Sequence, residues 1–109
     1  MKTFGLIGYP LTHSFSKKYF AEKFLDEGHT DCIYENFPID NIEGINDVFF
    51  QHPTLIGLNV TIPYKEKVIS FLDEATEIVQ ETGACNCIKI HHGKKIGFNT
   101  DVDRKSTRL

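Results

Sequence analysis

Short apolar runs alternating with amphipathic stretches predict an α/β fold: a three-layer sandwich with a mainly parallel mixed sheet of about six strands flanked by helices. Two observations carry this expectation. Strand-like runs at residues 3–9, 32–37 and 55–61 are each followed by a stretch with helical spacing. A late hairpin pattern, residues 86–91 and 95–99 around His92-Gly93-Lys94, adds an antiparallel strand, which mixed sheets tolerate.

Each element has a local signature. Residues 3–9 (TFGLIGY) form an apolar run of strand length that Pro10 ends. Over residues 16–27, Tyr19, Phe20, the Lys23 stem, Phe24 and Leu25 follow helical spacing, and Gly28 stands where a C′ residue would close the helix. Residues 32–37 (CIYENF) read as a second strand, closed by Pro38. Asp40 can cap the next helix, with Glu43 at capping-box spacing and Ile42, Ile45, Val48 and Phe49 on the buried face. Residues 55–61 (LIGLNVT) read as a third strand. Pro63 suits the first position of a helix, so short helical stretches are expected at 65–72 and 74–81.

The chain has 109 residues, enough for one domain that buries its core without disulfides or metals. A net charge of −3 argues against a nucleic-acid surface. No apolar run approaches a membrane span and the N-terminus lacks a signal-peptide pattern, so the expected location is the cytoplasm. Three cysteines are an odd number and fit reduced thiols. Gly5 and Gly8 form only G-x-x-G, so no nucleotide-binding loop can be argued.

In sheets of this kind ligands gather at the carboxyl ends of the strands. Those ends are Tyr9-Pro10, Thr61-Ile62-Pro63 and Asn99-Thr100-Asp101, where polar residues also concentrate. Ser14 and Ser16 are two apart, so an extended segment sets both hydroxyls on one side, suited to an anionic or polyhydroxylated ligand; a helix-capping role competes. Asn59 and Thr61 share a strand face, and Lys65 follows shortly after. A lysine partly shielded from water can act as general acid or base, whereas an exposed lysine does nothing special. Asn86 can donate to a ligand hydroxyl. Asp101 beside a lysine can hold the amine, or simply cap a helix. Cys85, Cys87 and His91 would share a face of a straight strand, but C-x-C-x₃-H fits no common zinc pattern; small buried cysteines fit better, and no metal site is expected.

Four of these segments, GYPLTHSFS (8–16), NVTIPYK (59–65), GACNCI (83–88) and FNTD (98–101), occur in order across almost the whole chain. Together they resemble the substrate domain of the shikimate dehydrogenase family. The resemblance implies reversible, NADP-dependent reduction of 3-dehydroshikimate to shikimate in aromatic amino-acid biosynthesis. It implies that Ser14 and Ser16 hold the shikimate carboxylate. Asn59, Thr61 and Asn86 would contact the ring hydroxyls and the carboxylate region. Lys65 and Asp101 would be the catalytic pair: Lys65 is the natural donor of a proton to the developing alkoxide, with Asp101 orienting it, and the reverse reaction makes Lys65 the base; the sequence leaves Asp101 open as the alternative proton carrier. NADP would serve the full-length enzyme, with no cofactor bound by this chain.

Departures from the family pattern shape the expectation further. The family often has Val or Ala and then Thr where Cys85 and Cys87 stand, so the missing hydroxyl at 87 trims one contact. It usually has glycine where Arg104 stands, and residues 103–109 form a polar, basic tail without apolar periodicity. Residues 1–101 are therefore read as the shikimate-binding catalytic domain, and 102–109 as the cut start of a linker to a missing Rossmann domain, with a tail foreign to the natural protein as the alternative. A family glutamine from the far C-terminal region is missing with it. Such a piece would fold without turning over, because hydride transfer needs cofactor and substrate held together. Apolar surface left by the cut can drive self-association into a homodimer. Two alternatives stand beside this reading: a stand-alone shikimate- or quinate-binding module, and a quinate/shikimate paralogue.

Overall fold

The computed structural model describes residues 2–11 and 16–100, leaving out the side chains of Ser16 and Lys17. The chain runs β1 (Lys2–Gly8), α1 (Ser16–Asp26), β2 (Cys32–Pro38), α2 (Ile45–Gln51), β3 (Leu55–Val60), β4 (Glu74–Ala75), α3 (Glu77–Thr82), β5 (Cys87–His91) and β6 (Lys94–Phe98). Short 3-10 helices lie at Ile42–Gly44 and Lys67–Phe71. The strands form one sheet in the order β2-β1-β3-β5-β6-β4. β1 pairs in parallel with β2 and β3, and β4 in parallel with β6. β5 pairs antiparallel with both neighbours, so it alone runs against the rest. This is the mixed, mainly parallel sheet of six strands that the sequence predicts.

Register divides the side chains between two faces. Ile7, Leu58, Val60 and Ile88 lie on one. They meet Ile45 and Val48 of α2, Val68 of the second 3-10 helix and Val79 of α3 in a single buried cluster. Ile7, Ile45, Val68, Val79 and Ile88 are fully buried, each side chain contributing roughly 1.5–3 kcal/mol. The other face carries Phe4, Tyr34, Asn59, Cys87 and Phe98. α1 covers part of it: Phe20 stacks on Tyr34 with centroids 4.6 Å apart, and Phe24 tilts against Phe4 at 5.6 Å. Beside α1 lies an open cleft of about 570 Å³, lined by Phe4, Phe24, Asn59, Cys87, Ile90 and Phe98 among others.

Several local expectations shift by one element. Asn41, not Asp40, caps the first 3-10 helix: its Oδ1 accepts from the Glu43 N–H at 3.0 Å, and its extended backbone makes it the residue before the turn. No helix starts at Pro63. The Ile62–Pro63 bond is cis, the Tyr64 N–H donates to Thr61 O at 3.1 Å, and helical structure begins only at Lys67. The stretch 74–81 splits. Asp73 takes the Lys95 N–H on its carboxylate and gives its own N–H to Lys95 O, both at 2.8 Å, which draws Glu74 and Ala75 into strand pairing. Thr76 then caps α3 by accepting from the Val79 N–H. In α1 the inward residues are Phe20 and Phe24, while Tyr19 and Leu25 are exposed.

Two glycines are required for different reasons. A Cβ on Gly5 would overlap the Phe37 ring and stand 2.9 Å from Glu35 O. Gly83 closes α3 at φ 68°, with open space around it. Gly83→Ala is therefore expected to cost roughly 1–2 kcal/mol, the left-handed penalty alone. Gly5→Ala should cost more, because backbone as well as a ring must move. Urea unfolding of both variants checks the ranking; an equal or smaller loss for Gly5→Ala would contradict the packing described.

Candidate functional site

The sheet brings one group of polar residues to a single edge. β1, β3 and β6 all end there, and antiparallel β5 begins there. Thr61 directly follows β3, and its N–H still donates to Ile7 O at 2.9 Å. Its methyl occupies the space a side chain on Gly8 would need. Asn59 lies two residues earlier on the same face, opposite Cys87 across the β3–β5 pair. Its Nδ2 donates to the Tyr34 hydroxyl at 2.9 Å, reaching past β1. That bond leaves Oδ1 as the acceptor Asn59 can offer a ligand.

Asn86 sits just before β5 and is held on three sides. Its carbonyl accepts from the Val60 N–H at 2.8 Å, and its own N–H donates to Phe98 O at 3.1 Å. Its side-chain oxygen accepts from the Thr100 N–H at 2.9 Å and the Thr100 hydroxyl at 3.2 Å. With the oxygen engaged, what Asn86 can present to a ligand is its amide N–H donors.

Lys65 lies in the turn after Pro63, not within a helix. Its carbonyl accepts from the Cys85 N–H at 2.7 Å, which ties it to the segment entering β5. The preceding Tyr64 is buried and its hydroxyl donates to Ile39 O. Burial, with Asp40 and Tyr9 nearby, pushes the Tyr64 hydroxyl above its ordinary value, so it stays a protonated donor. The lysine is half-buried and borne on a turn anchored at both ends.

Asn59, Thr61, Lys65 and Asn86 thus share one edge. Ser14 and Asp101 lie outside the described residues. Ser16 opens α1, and its side chain also lies outside them. Tyr34 and Thr100 are partners that sequence reasoning missed. Tyr34 falls within the strand read at residues 32–37, but its link to Asn59 needs the strand order. Asn99, at the end of β6, is a buried tether: its Nδ2 donates to Ala84 O at 3.2 Å.

The cysteines beside this edge are packing groups. Cys85 is fully buried and its Sγ approaches Cys87 O at 3.3 Å. Burial pushes both thiols above their ordinary 9.0, so both are protonated at neutral pH. The G-x-x-G of β1 is not shaped as a phosphate loop. The Phe37 ring covers Gly5 and the Thr61 methyl covers Gly8, so neither backbone is open to a phosphate. Among the described residues, no helix is long and apolar enough to cross a membrane.

An α/β domain with donors and acceptors gathered at its strand ends belongs to the class that binds small polar molecules. Its sequence matches the family profile described as Shikimate dehydrogenase substrate binding domain over residues 6–88. The chain belongs to this family. It is 41% identical over 98 residues to the NADP(+) shikimate dehydrogenase of Oceanobacillus iheyensis, covering 88% of this chain and 35% of that protein. The crystal structure of Thermus thermophilus shikimate 5-dehydrogenase in complex with shikimate superposes with a TM-score of 0.85 at 28% identity, covering 100% of this chain and 42% of the other. The ligand-free 5-ketofructose reductase of a Gluconobacter strain gives 0.82 at 27% identity, over 92% and 36%. The chain thus spans about a third of the length of the curated relatives it matches.

Two measurements probe this edge. Tyr34→Phe keeps the stack on Phe20 and removes the partner of Asn59; the expected loss is about 0.5–1.5 kcal/mol in urea unfolding, and no loss would mean the bond is not formed. The thiols set an alkaline dependence. Cys85 has its folded value raised above the unfolded 9.0, so its contribution is whole below pH 9 and fades as pH climbs through the higher folded value. Stability should therefore decline above pH 9, with a shallower slope in Cys85→Ala.

Proposed function

We propose that this chain is the substrate-binding, proton-handling lobe of an NADP-dependent shikimate dehydrogenase, reversibly interconverting 3-dehydroshikimate and shikimate in aromatic amino-acid biosynthesis by way of chorismate. The observation that carries the proposal is the shared edge of Asn59, Thr61, Lys65 and Asn86, with Lys65 and Asn86 tied to the ends of β5 and β3 by backbone bonds. Acceptors on Asn59, a hydroxyl on Thr61 and donors on Asn86 suit a ring bearing hydroxyls and a carboxylate. Ser14 and Ser16 take the carboxylate in this reading.

Reducing a ketone leaves negative charge on its oxygen, and a proton must arrive there. Lys65 supplies it, with Asp101 orienting the amine; in the opposite direction Lys65 removes the hydroxyl proton. The hydride belongs to NADP, which this reading assigns to the cofactor domain of the full-length enzyme. Residues 1–101 are the shikimate-binding domain in this proposal, and 102–109 lead toward the cofactor domain that the longer relatives leave room for. Alone, the chain binds substrate without turnover. We place it in the cytoplasm, and apolar surface left uncovered without the cofactor domain is what lets isolated copies pair as homodimers.

A second reading has one observation in its favour. A structural neighbour is named a 5-ketofructose reductase, so this architecture also serves a different polyhydroxylated ketone. A quinate/shikimate enzyme, or a binding module for either compound, follows that line.

Titrating shikimate into the isotope-labelled chain is expected to shift the amide signals of Asn59, Thr61, Lys65 and Asn86, with quinate competing weakly. Silence at millimolar shikimate would overturn the binding proposal, and tighter binding of quinate would favour the second reading. In a version joined to a cofactor domain like that of the longer relatives, Lys65→Ala should lower turnover by about 10²–10⁴-fold with little change in KM.

A further inference from the structure

The connection from α1 to β2 holds a second concentration of chemistry, at the opposite end of the sheet from Thr61 and Asn86. Its backbone is firmly set. Gly28 adopts φ 76°, the Gly28 N–H donates to Leu25 O at 3.2 Å, and the His29 N–H donates to Phe24 O at 2.7 Å. These two bonds are the paired bonds of a Schellman helix ending. The Cys32 N–H then donates to His29 O at 3.4 Å, and Asp31 O accepts from the Lys2 N–H at 2.8 Å.

On this frame one donor atom each from His29, Asp31 and Cys32 lies within 4.8 Å of the other two. The Cys32 thiol is 3.7 Å from Asp31 Oδ1. Glu27 brings a second carboxylate, 3.5 Å from His29 Nε2. We propose that His29, Asp31 and Cys32 form a binding site for one divalent transition-metal ion of the zinc class.

The donor set points to that class. An imidazole and a thiolate favour zinc or cobalt, whereas magnesium and calcium take oxygen ligands. Tetrahedral zinc bonds of roughly 2.0–2.3 Å place neighbouring nitrogen, oxygen and sulfur donors about 3.3–3.6 Å apart. The three donors must therefore close by about 1.5 Å at most. His29 and Asp31 are exposed, so their side chains can rotate without disturbing the core. Glu27 can orient the imidazole or supply a fourth ligand, and water can fill any position left. Desolvation, then the neighbouring Asp31, holds the Cys32 thiol protonated in the empty loop. Binding breaks the S–H bond as the sulfur–metal bond forms, and the proton goes to solvent. Lys2 is a nearby positive charge that works against the ion; Asp31, Glu27 and the thiolate work for it.

Cobalt titration of the reduced 109-residue chain is the test. A thiolate-to-cobalt charge-transfer band should rise and saturate at one ion per chain, and zinc should displace it. Cys32→Ser should abolish the band, and Cys87→Ser should leave it intact. His29→Ala should weaken binding by more than the roughly tenfold that even an outer-shell partner costs. Urea midpoints of the variants report whether they fold. The proposal is overturned by any of three results: no band in the folded wild-type chain, a band that survives Cys32→Ser, or unchanged affinity in His29→Ala.

Discussion

Asn86 joins parts of the chain that run in opposite senses. Its carbonyl holds the end of β3 through Val60, and its N–H holds the end of β6 through Phe98. Its side-chain oxygen secures Thr100, the residue that leads on from β6. One residue earlier, the Cys85 N–H holds the Lys65 carbonyl. An antiparallel strand set among parallel ones starts at the edge where its neighbours finish. Its first residues therefore meet the last residues of β3 and β6. The polar edge depends on this reversal, because without β5 running backwards Asn86 would lie at the far end of the sheet from Thr61.

The two faces of the sheet are built differently. One is sealed by α2, α3 and a 3-10 helix over Ile7, Leu58, Val60 and Ile88. Among the described residues the other is covered by α1 where Phe20 and Phe24 meet Tyr34 and Phe4, with a cleft beside it. Stability resides mainly on the sealed face. The part-covered face carries Asn59 and Tyr34, whose hydrogen bond connects the site to the stack beneath α1. Changes in α1 packing should thus reach Asn59 through Tyr34, although the two lie on strands separated by β1.

Much of the fold was legible because its signals are local. Apolar runs of strand length mark β1, β2 and β3, and Gly28 marks the end of α1 by the left-handed geometry it alone adopts cheaply. β4 was not legible. Glu74 and Ala75 have no strand pattern, and they pair with β6 only because Asp73 and Lys95 bring the segments together. Pro63 looked like a helix start because a proline suits that position, but its backbone serves a tight turn here. The cap at Asn41 rather than Asp40 is a one-residue slip of the kind that side-chain chemistry alone does not resolve, since both residues can cap.

The same division holds for the site. Sequence by itself determined which chemical groups are present and in what order: two serines, an amide and a hydroxyl two residues apart, a lysine soon after, and a second amide before the hairpin. Tertiary structure alone decided that Asn59, Thr61, Lys65 and Asn86 share an edge, and that Tyr34 and Thr100 hold two of them. The physical reason is sequence separation. A side chain's identity and a strand's period are set by neighbours along the chain, whereas the contacts of Asn86 with Val60 and of Asn59 with Tyr34 exist only once strand order and direction have been chosen by burial of the core.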